Sequence, residues 1–165
     1  MTKQMRRLWE ASIWHPDAIP ESEGVASREL KRLVLPIFDG FVAGMGFGGM
    51  ILGMPSIAEV WAVEPSQIAG FVLMIAGLTA FVGIVFPKFW VAEAIGKLLM
   101  LLVIGGYAVA LWVLTFQGVG TRWVVAFAFT ALLALPFWNI ARLGREWHKR
   151  RVMAEVMRRH LQEER

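Results

Sequence analysis

The 165-residue sequence contains no cysteine, one tyrosine and three histidines, and it has long stretches without charge. Without cysteine the chain can form neither a disulfide nor a thiolate metal site. The histidines lie outside the uncharged stretches, and those stretches hold no paired acids, no nucleophile beside a base and no phosphate-binding loop. The sequence therefore predicts no catalytic residue, no cofactor and no metal site, and we expect a non-enzymatic protein.

Most of the chain between Arg32 and Arg142 consists of apolar residues, and its few charges divide it into four pieces. Three pieces are free of charge, residues 65–87, 98–121 and 123–141, with 23, 24 and 19 residues respectively. The first piece, residues 33–58, is interrupted only by Asp39. A helix needs about 20 apolar residues to cross the hydrocarbon layer of a membrane. The sequence predicts an all-α integral membrane protein with four transmembrane helices, at about residues 33–54, 67–87, 98–118 and 123–141.

The positions of the basic residues predict the orientation of these helices. Sixteen of the 17 Lys and Arg residues lie before residue 33, within residues 88–97 or after residue 141. The other two connections carry one basic residue, Arg122. Because positively charged loops stay on the cytoplasmic side, we expect both termini and the 88–97 connection in the cytoplasm. The predicted location is the cytoplasmic membrane, with an N-in/C-in, multi-pass topology.

The predicted bundle of residues 33–141 is preceded and followed by charged, amphipathic segments. In the cytoplasmic segment of residues 1–32, the helical spacing of Met5, Leu8, Trp9 and Ile13 predicts an amphipathic helix on the inner leaflet. Residues 142–165 predict a basic cytoplasmic helix, able to contact anionic lipid or a soluble partner through Arg142, Arg145, Lys149, Arg150 and Arg151. The pI near 10.0 is explained by these juxtamembrane charges, so we expect lipid rather than nucleic acid as the partner.

Glycine is concentrated in the first predicted span. Gly40, Gly44 and Gly48 recur at every fourth residue, and Gly49 and Gly53 repeat the spacing one position round the helix. Small residues four apart allow another helix backbone to approach closely. The partner could be another span of the same chain, a second copy of the chain, or both. Part of this stretch also matches a dinucleotide-binding fingerprint, but that fingerprint requires a strand before the turn.

Asp39 is the one acidic residue within a predicted span. Ionisable residues inside a membrane are costly and face a partner, water or the interior of a bundle. Three interpretations remain open for Asp39. It could pair with Lys31, Lys88 or Lys97 near the inner interface; it could line a water-filled path or act as a protonatable switch during assembly; or it could lie at the interface itself.

The layout resembles that of small membrane proteins of actinobacterial phages that are described as holins or holin-like. The resemblance covers the layout of the whole chain. It consists of four glycine-rich spans with both ends inside, a His-Pro-Asp-Ala-Ile-Pro segment at residues 15–20 before the first span, and a basic tail at residues 142–151. It implies a homo-oligomer that forms lesions or pores in the cytoplasmic membrane during host lysis. The alternatives are a membrane anchor or assembly subunit that docks a soluble partner through its tail, and a small channel or transporter subunit.

Overall fold

A computed structural model describes residues 2–19, 25–60, 62–118 and 122–145. The helices of this part of the chain are α1 (Lys3–Glu10), α2 (Val25–Glu29), α3 (Leu35–Leu52), α4 (Pro55–Val60), α5 (Val63–Val85), α6 (Trp90–Phe116) and α7 (Trp123–Leu132). A further helix, α8, covers residues 134–145. Short 3₁₀ turns lie at Pro16–Ala18 and Pro87–Phe89, and a π-helical turn at Leu30–Val34 joins α2 to α3. The described residues contain no β-strand.

Four helical stretches are long and apolar enough to cross a membrane, as in a multi-pass membrane protein. They are span one (Ser27–Leu52), span two (Val63–Val85), span three (Pro87–Phe116) and span four (Trp123–Arg145). The helix of span three begins well before the predicted boundary at residue 98, so that Glu93 and Lys97 lie within it. The predicted span of residues 98–118 therefore lies mostly within a longer helix, which the charged residues Glu93 and Lys97 do not interrupt.

Two local features break the regularity of the helices. Span one ends at Gly53, whose φ of 77° is unfavourable for any other residue. Span four is interrupted at Leu133, between α7 and α8. Pro136 lies one turn further on and has no amide hydrogen to donate to the carbonyl of Leu132, which explains the interruption. The predicted C-terminal helix is described only as far as Arg145, and its remainder, including Trp147, lies outside the described residues.

Consecutive spans pack against one another, span one on two, two on three, and three on four. Spans one and two approach so closely that a Cβ added at Gly46 would lie 2.2 Å from the amide nitrogen of Met74. Likewise a Cβ added at Gly96 of span three would lie 2.6 Å from the amide nitrogen of Ala80 of span two. Association in lipid depends on this kind of close packing, because lipid is as apolar as the helices themselves.

The bundle has two apolar clusters. The larger fills its middle with Val42, Met54, Ile57, Leu73, Ala76, Ala80, Met100 and Ile104. The smaller lies at the end where span one begins and span two ends, and it joins Ile13 and Ile19 to Leu35, Ile84 and Val85. We call this the Lys88 end of the bundle, and the opposite one the Glu59 end. The N-terminal segment is thus packed against the Lys88 end.

Candidate functional site: a buried cluster of charged residues

Asp39 and Lys97 form an ion pair inside the bundle. Lys97 Nζ donates a hydrogen bond to Asp39 Oδ1, and both side chains are fully buried, one on span one and the other on span three. The ammonium group also lies 5.2 Å from the centre of the Phe38 ring. Of the three partners that the sequence offers for Asp39, the structure places Lys97 beside it. Asp39 therefore lies in the interior of the bundle.

A second acid, Glu93, extends the cluster to span four. Asn139 Nδ2 donates to Glu93 Oε1 at 2.6 Å, and Arg142 Nη2 reaches the same oxygen at 3.5 Å. Glu93 lies one helical turn before Lys97, so the two share one face of α6. Through this face the cluster connects spans one, three and four.

Small residues on span two make room for the charged side chains. A Cβ at Gly83 would lie 2.3 Å from the amide nitrogen of Glu93, so the backbones of spans two and three touch there. The contact between Gly96 and Ala80 likewise brings the backbones of spans two and three together beside Lys97. The helix that carries both charges is therefore fixed in position by contacts between backbones, which cannot shift as flexible side chains can.

The cluster contains two acids and two bases, Asp39 and Glu93 with Lys97 and Arg142, so its formal charge is zero. Balance of charge is what makes burial tolerable, because an unpaired ion in a low-dielectric region costs several kcal/mol, about 3–5 kcal/mol when one partner of a buried pair is removed. Hydrogen bonding is incomplete: Asp39 Oδ2 and Asn139 Oδ1 are buried without a partner among the described residues. Such a network favours one arrangement of the spans, although the removal of water from its charged groups costs free energy.

A separate ion pair joins α4 to the residue that precedes span four, at the Glu59 end. Arg122 donates from Nη1 and Nη2 to the two carboxylate oxygens of Glu59, at 2.7 and 2.8 Å. Both residues lie outside the four spans. The hydrogen bonds from Arg122 lower the pKa of Glu59 below its usual 4.5, and the pair raises the pKa of Arg122. The pair is therefore ionised at neutral pH and holds the start of span four against α4.

The predicted glycine face divides into two parts. Gly49 packs on span two, where an added Cβ would lie 3.2 Å from Gly70 Cα, and Gly53 lies beside Ser66. In contrast, a Cβ added at Gly40, Gly44 or Gly48 would meet no atom within 4 Å in the part of the chain that the structure describes. The sequence pattern misses Gly46, which makes a closer internal contact than either Gly49 or Gly53. Two features of the sequence could have identified Gly46 as a contact residue: it has no side chain, and it lies three residues before Gly49, on the same side of the helix.

The N-terminal segment is attached to the start of span one by polar contacts. Pro36 cannot donate an amide hydrogen to the carbonyl of Arg32, and the indole Nε1 of Trp14 donates to that carbonyl at 2.9 Å. The guanidinium of Arg32 in turn donates to the carbonyls of His15 and Pro16, at 3.2 and 3.1 Å. The start of span one is thus held by the segment that precedes it.

Two of the five basic residues predicted to contact lipid or a partner are described, and three are not. Arg142 points into the bundle towards Glu93, with 12% of its side chain exposed, and its guanidinium lies 5.9 Å from the centre of the Trp138 ring. Arg145 is exposed. Lys149, Arg150 and Arg151 lie outside the described residues. Arg142 therefore belongs to the charged cluster, although the sequence groups it with the lipid-contacting residues.

Two members of the cluster, Glu93 and Asn139, are not predicted by the sequence pattern. Charge counting assigns Glu93 to a cytoplasmic connection, and it overlooks Asn139 because asparagine is uncharged. Each of the two could have been found from one feature of the sequence. Glu93 is four residues before Lys97, so the two share a helix face, and Asn139 is the chain's one asparagine and lies within an apolar run. In the part of the chain that the structure describes, no three His, Cys, Asp or Glu residues are grouped as metal ligands would be.

Comparison of the chain with protein-family models, curated proteins and solved structures gives no match. The functional argument therefore rests on the geometry of the bundle.

Proposed function

We propose that this chain is a non-enzymatic protein of the cytoplasmic membrane that self-associates and forms holin-like lesions. The observation that carries the proposal is the outward-facing side of span one. Gly40, Gly44 and Gly48 lie there one turn apart, and none of the described residues comes within 4 Å of the position of a Cβ at these glycines. The internal packing of the bundle leaves these three glycines unused.

Two of these glycines line an open apolar groove of about 530 Å³, together with Ile37, Phe41 and Met45. Phe41 and Ile37 are exposed over 75% and 55% of their surface. Glycines beside larger apolar side chains let two helix backbones come close together, and such close packing is a main source of helix association in lipid. A second copy of span one offers the same groove.

The interior of a single bundle supports a role that requires several copies. Leu73, Ala76 and Met100 are fully buried and Ile104 is 1% exposed, so side chains fill the middle of the described bundle. A lesion would therefore form between bundles. The buried charged cluster would serve in each copy to fix the arrangement of spans one, three and four.

The proposed orientation places both termini in the cytoplasm and the Lys88 end at the inner leaflet. The basic residues near that end favour this orientation. Helix α1 is exposed along its length, with Met5, Leu8 and Trp9 on one side and Lys3, Arg6 and Arg7 on the other. Such a helix is suited to lie among anionic headgroups, and the contacts of Trp14 would hold it at the level of the membrane surface.

The proposal is tested by expressing the full-length chain alone in bacterial cells and following the membrane potential and growth. We expect the potential to collapse and growth to stop. Gly44→Ile should blunt this effect, because a branched side chain in the groove weakens helix association by about 1 kcal/mol or more. Truncation after Leu143 should blunt it less, since the lesion depends on the spans.

The matched control is Gly105→Ile, which makes the same change on span three, at a glycine that also has open space around its Cβ position. This variant should depolarise cells as the unmodified chain does. A retained potential at high levels of inserted, unmodified protein would overturn the lesion proposal, and a membrane anchor with a docking tail would then be the better account.

A further inference from the structure

The buried charged cluster contains oxygen atoms that need a hydrogen-bond donor. Asp39 Oδ2 and Asn139 Oδ1 accept no hydrogen bond from the described residues, although both side chains are 0% exposed. The donors nearby are already directed elsewhere, since Lys97 donates to the other oxygen of Asp39 and the amide of Asn139 donates to Glu93. A buried acceptor without a donor is strongly unfavourable. These two oxygens therefore point to a ligand that donates hydrogen bonds inside the cluster.

The charge of the cluster determines the chemical class of that ligand. Asp39 and Glu93 balance Lys97 and Arg142, so a metal cation would add a positive charge beside two bases and would donate no hydrogen bond. An anion offers no hydrogen to the two oxygens. Water is neutral, donates two hydrogen bonds and accepts others, and an ammonium group has three N–H donors for such an acceptor. Buried water in proteins typically binds polar groups of this kind, with about three hydrogen bonds.

The cluster extends inward from the Lys88 end along the axis of the bundle. On span three, Glu93 and Lys97 lie three and seven residues after Trp90, where α6 begins. On span four, Arg142 and Asn139 lie three and six residues before the end of the span. At a rise of 1.5 Å per residue, the polar groups of both helices cover the same interval, from about 5 Å to about 10 Å inward. They form one polar path between spans three and four.

The exposure of the charged side chains shows where this path begins. The side chain of Arg142 is 12% exposed and that of Glu93 is 6% exposed, whereas those of Asp39 and Lys97 are 0% exposed. Exposure thus falls steadily from the Lys88 end towards the ion pair. The entrance of the path lies beside Arg142.

The path ends against the apolar middle of the bundle. Met100 and Ile104 follow Lys97 on the same face of α6, three and seven residues further on, and they are 0% and 1% exposed. Leu73 and Ala76 of span two pack in the same apolar cluster and are fully buried. These side chains offer water no hydrogen bond, so the polar path is closed towards the Glu59 end.

From these observations we infer that the charged cluster is a one-sided water-binding site. Water enters from the Lys88 end beside Arg142, binds at Asp39 and Asn139, and is stopped by the apolar middle of the bundle. The bound water links span one to span four, which the described hydrogen bonds join only through span three. The site belongs to a single bundle, so it does not depend on the proposed self-association.

Bound water is detected in the unmodified, full-length chain by nuclear magnetic resonance in lipid vesicles. Asn139 is the chain's one asparagine, so labelling with ¹⁵N-asparagine gives a single side-chain amide signal from the cluster. We expect transfer of magnetisation from water to this amide. The control is the backbone amide of Met100 in a methionine-labelled sample, identified by its loss in Met100→Leu, which should receive no such transfer.

The side of entry is measured with single thiols, since the chain contains no cysteine. Asn139→Cys and Ile104→Cys are matched in burial, and only the first lies on the polar path. Spheroplasts and inverted membrane vesicles are treated with a small, membrane-impermeant methanethiosulfonate cation, and the remaining thiols are counted after denaturation. The exposed positions Lys88→Cys and Glu59→Cys identify the two sides and show that the membranes are sealed.

We expect Asn139→Cys to react from the side on which Lys88→Cys reacts, and Ile104→Cys to react from neither side. Water transfer to Asn139 no stronger than that to Met100 would overturn the water site. With transfer present, a reaction of Asn139→Cys from the side of Glu59→Cys, from both sides or from neither would overturn entry from the Lys88 end. None of these measurements requires a lesion, so their failure is distinct from failure of the proposed function.

Discussion

At the scale of single residues, the pairing of Asp39 with Lys97 is the main constraint on this protein. Both side chains are fully buried, and their hydrogen bond connects positions 58 residues apart in the sequence. Neither charge could be buried alone, because the loss of hydration is offset only by the opposite charge and by hydrogen bonds. The nearby pair of Glu93 and Arg142 keeps the surrounding charge balanced. The four residues are therefore expected to act as a unit.

We expect Asp39→Asn and Lys97→Met each to lower the free energy of unfolding by about 3–5 kcal/mol, because each leaves one buried charge without its partner. The double variant should lose clearly less than the sum, since it removes both charges. Unfolding in mixed lipid–detergent micelles, followed by circular dichroism, measures the differences. The comparison variant is Glu59→Gln, which breaks an exposed pair and should have a much smaller effect. Additive losses in the double variant would show that the two side chains are not coupled.

At the scale of elements, small residues decide which helices touch. Span one has glycines on more than one side, and the structure gives them different roles. Gly46 and Gly49 face span two, where backbones are in contact, whereas Gly40 and Gly44 face outwards. The four-residue repeat of Gly40, Gly44 and Gly48 predicts a close-packing face on span one. Span two packs against the adjacent face of the same helix. The difference between internal and external faces arises from a rotation of the helix about its axis, which the repeat does not define.

This division predicts opposite outcomes for two similar substitutions. Gly46→Ala places a methyl group 2.2 Å from a backbone nitrogen of span two, and overpacking of this kind costs about 1–3 kcal/mol. Gly44→Ala adds the same methyl group in open space, so the unfolding of the monomer should be unchanged. Thermal unfolding of both variants in dilute micelles, where copies are separated, makes the comparison. Equal stability of the two variants would mean that spans one and two are not in backbone contact.

At the scale of the whole molecule, the charge pattern and the fold are consistent with one topology. Four spans return the chain to the side from which it started, so the start of span one at Ser27 and the end of span four at Arg145 both lie at the Lys88 end of the bundle. Most Lys and Arg residues lie near that end in the sequence. The two connections at the Glu59 end carry one basic residue in the sequence, Arg122, which pairs with Glu59. The asymmetry is the basis for placing the Lys88 end in the cytoplasm.

A pair of reporter fusions tests this orientation. A reporter that is active only in the cytoplasm should function when fused after Arg165, and one that is active only outside should function when inserted beside Glu59. The reciprocal fusions, with the reporters interchanged, should be inactive and serve as controls. Cytoplasmic activity at Glu59 would reverse the orientation and with it the placement of α1 on the inner leaflet.

The number of apolar helices and their approximate positions can be read from the amino-acid sequence without the fold. These depend on the length of uncharged stretches, which is a local property, because each helix must satisfy its own backbone hydrogen bonds in lipid. The same local reasoning identifies Asp39 as a residue in need of a partner and includes Lys97 among three candidates. It begins span three at residue 98, whereas the helix begins at Trp90, since a charged residue is read as a span boundary unless its partner is known.

The partners of the buried charged and polar residues, in contrast, depend on how the spans pack together. The choice of Lys97 for Asp39, the inclusion of Glu93 and Asn139, and the inward position of Arg142 all depend on how three spans are rotated and how deeply each one lies. These rotations follow from contacts between backbones at Gly46, Gly83 and Gly96, which join residues far apart in the chain. A pattern along one helix defines its faces, but the helix against which each face packs is determined by the bundle as a whole.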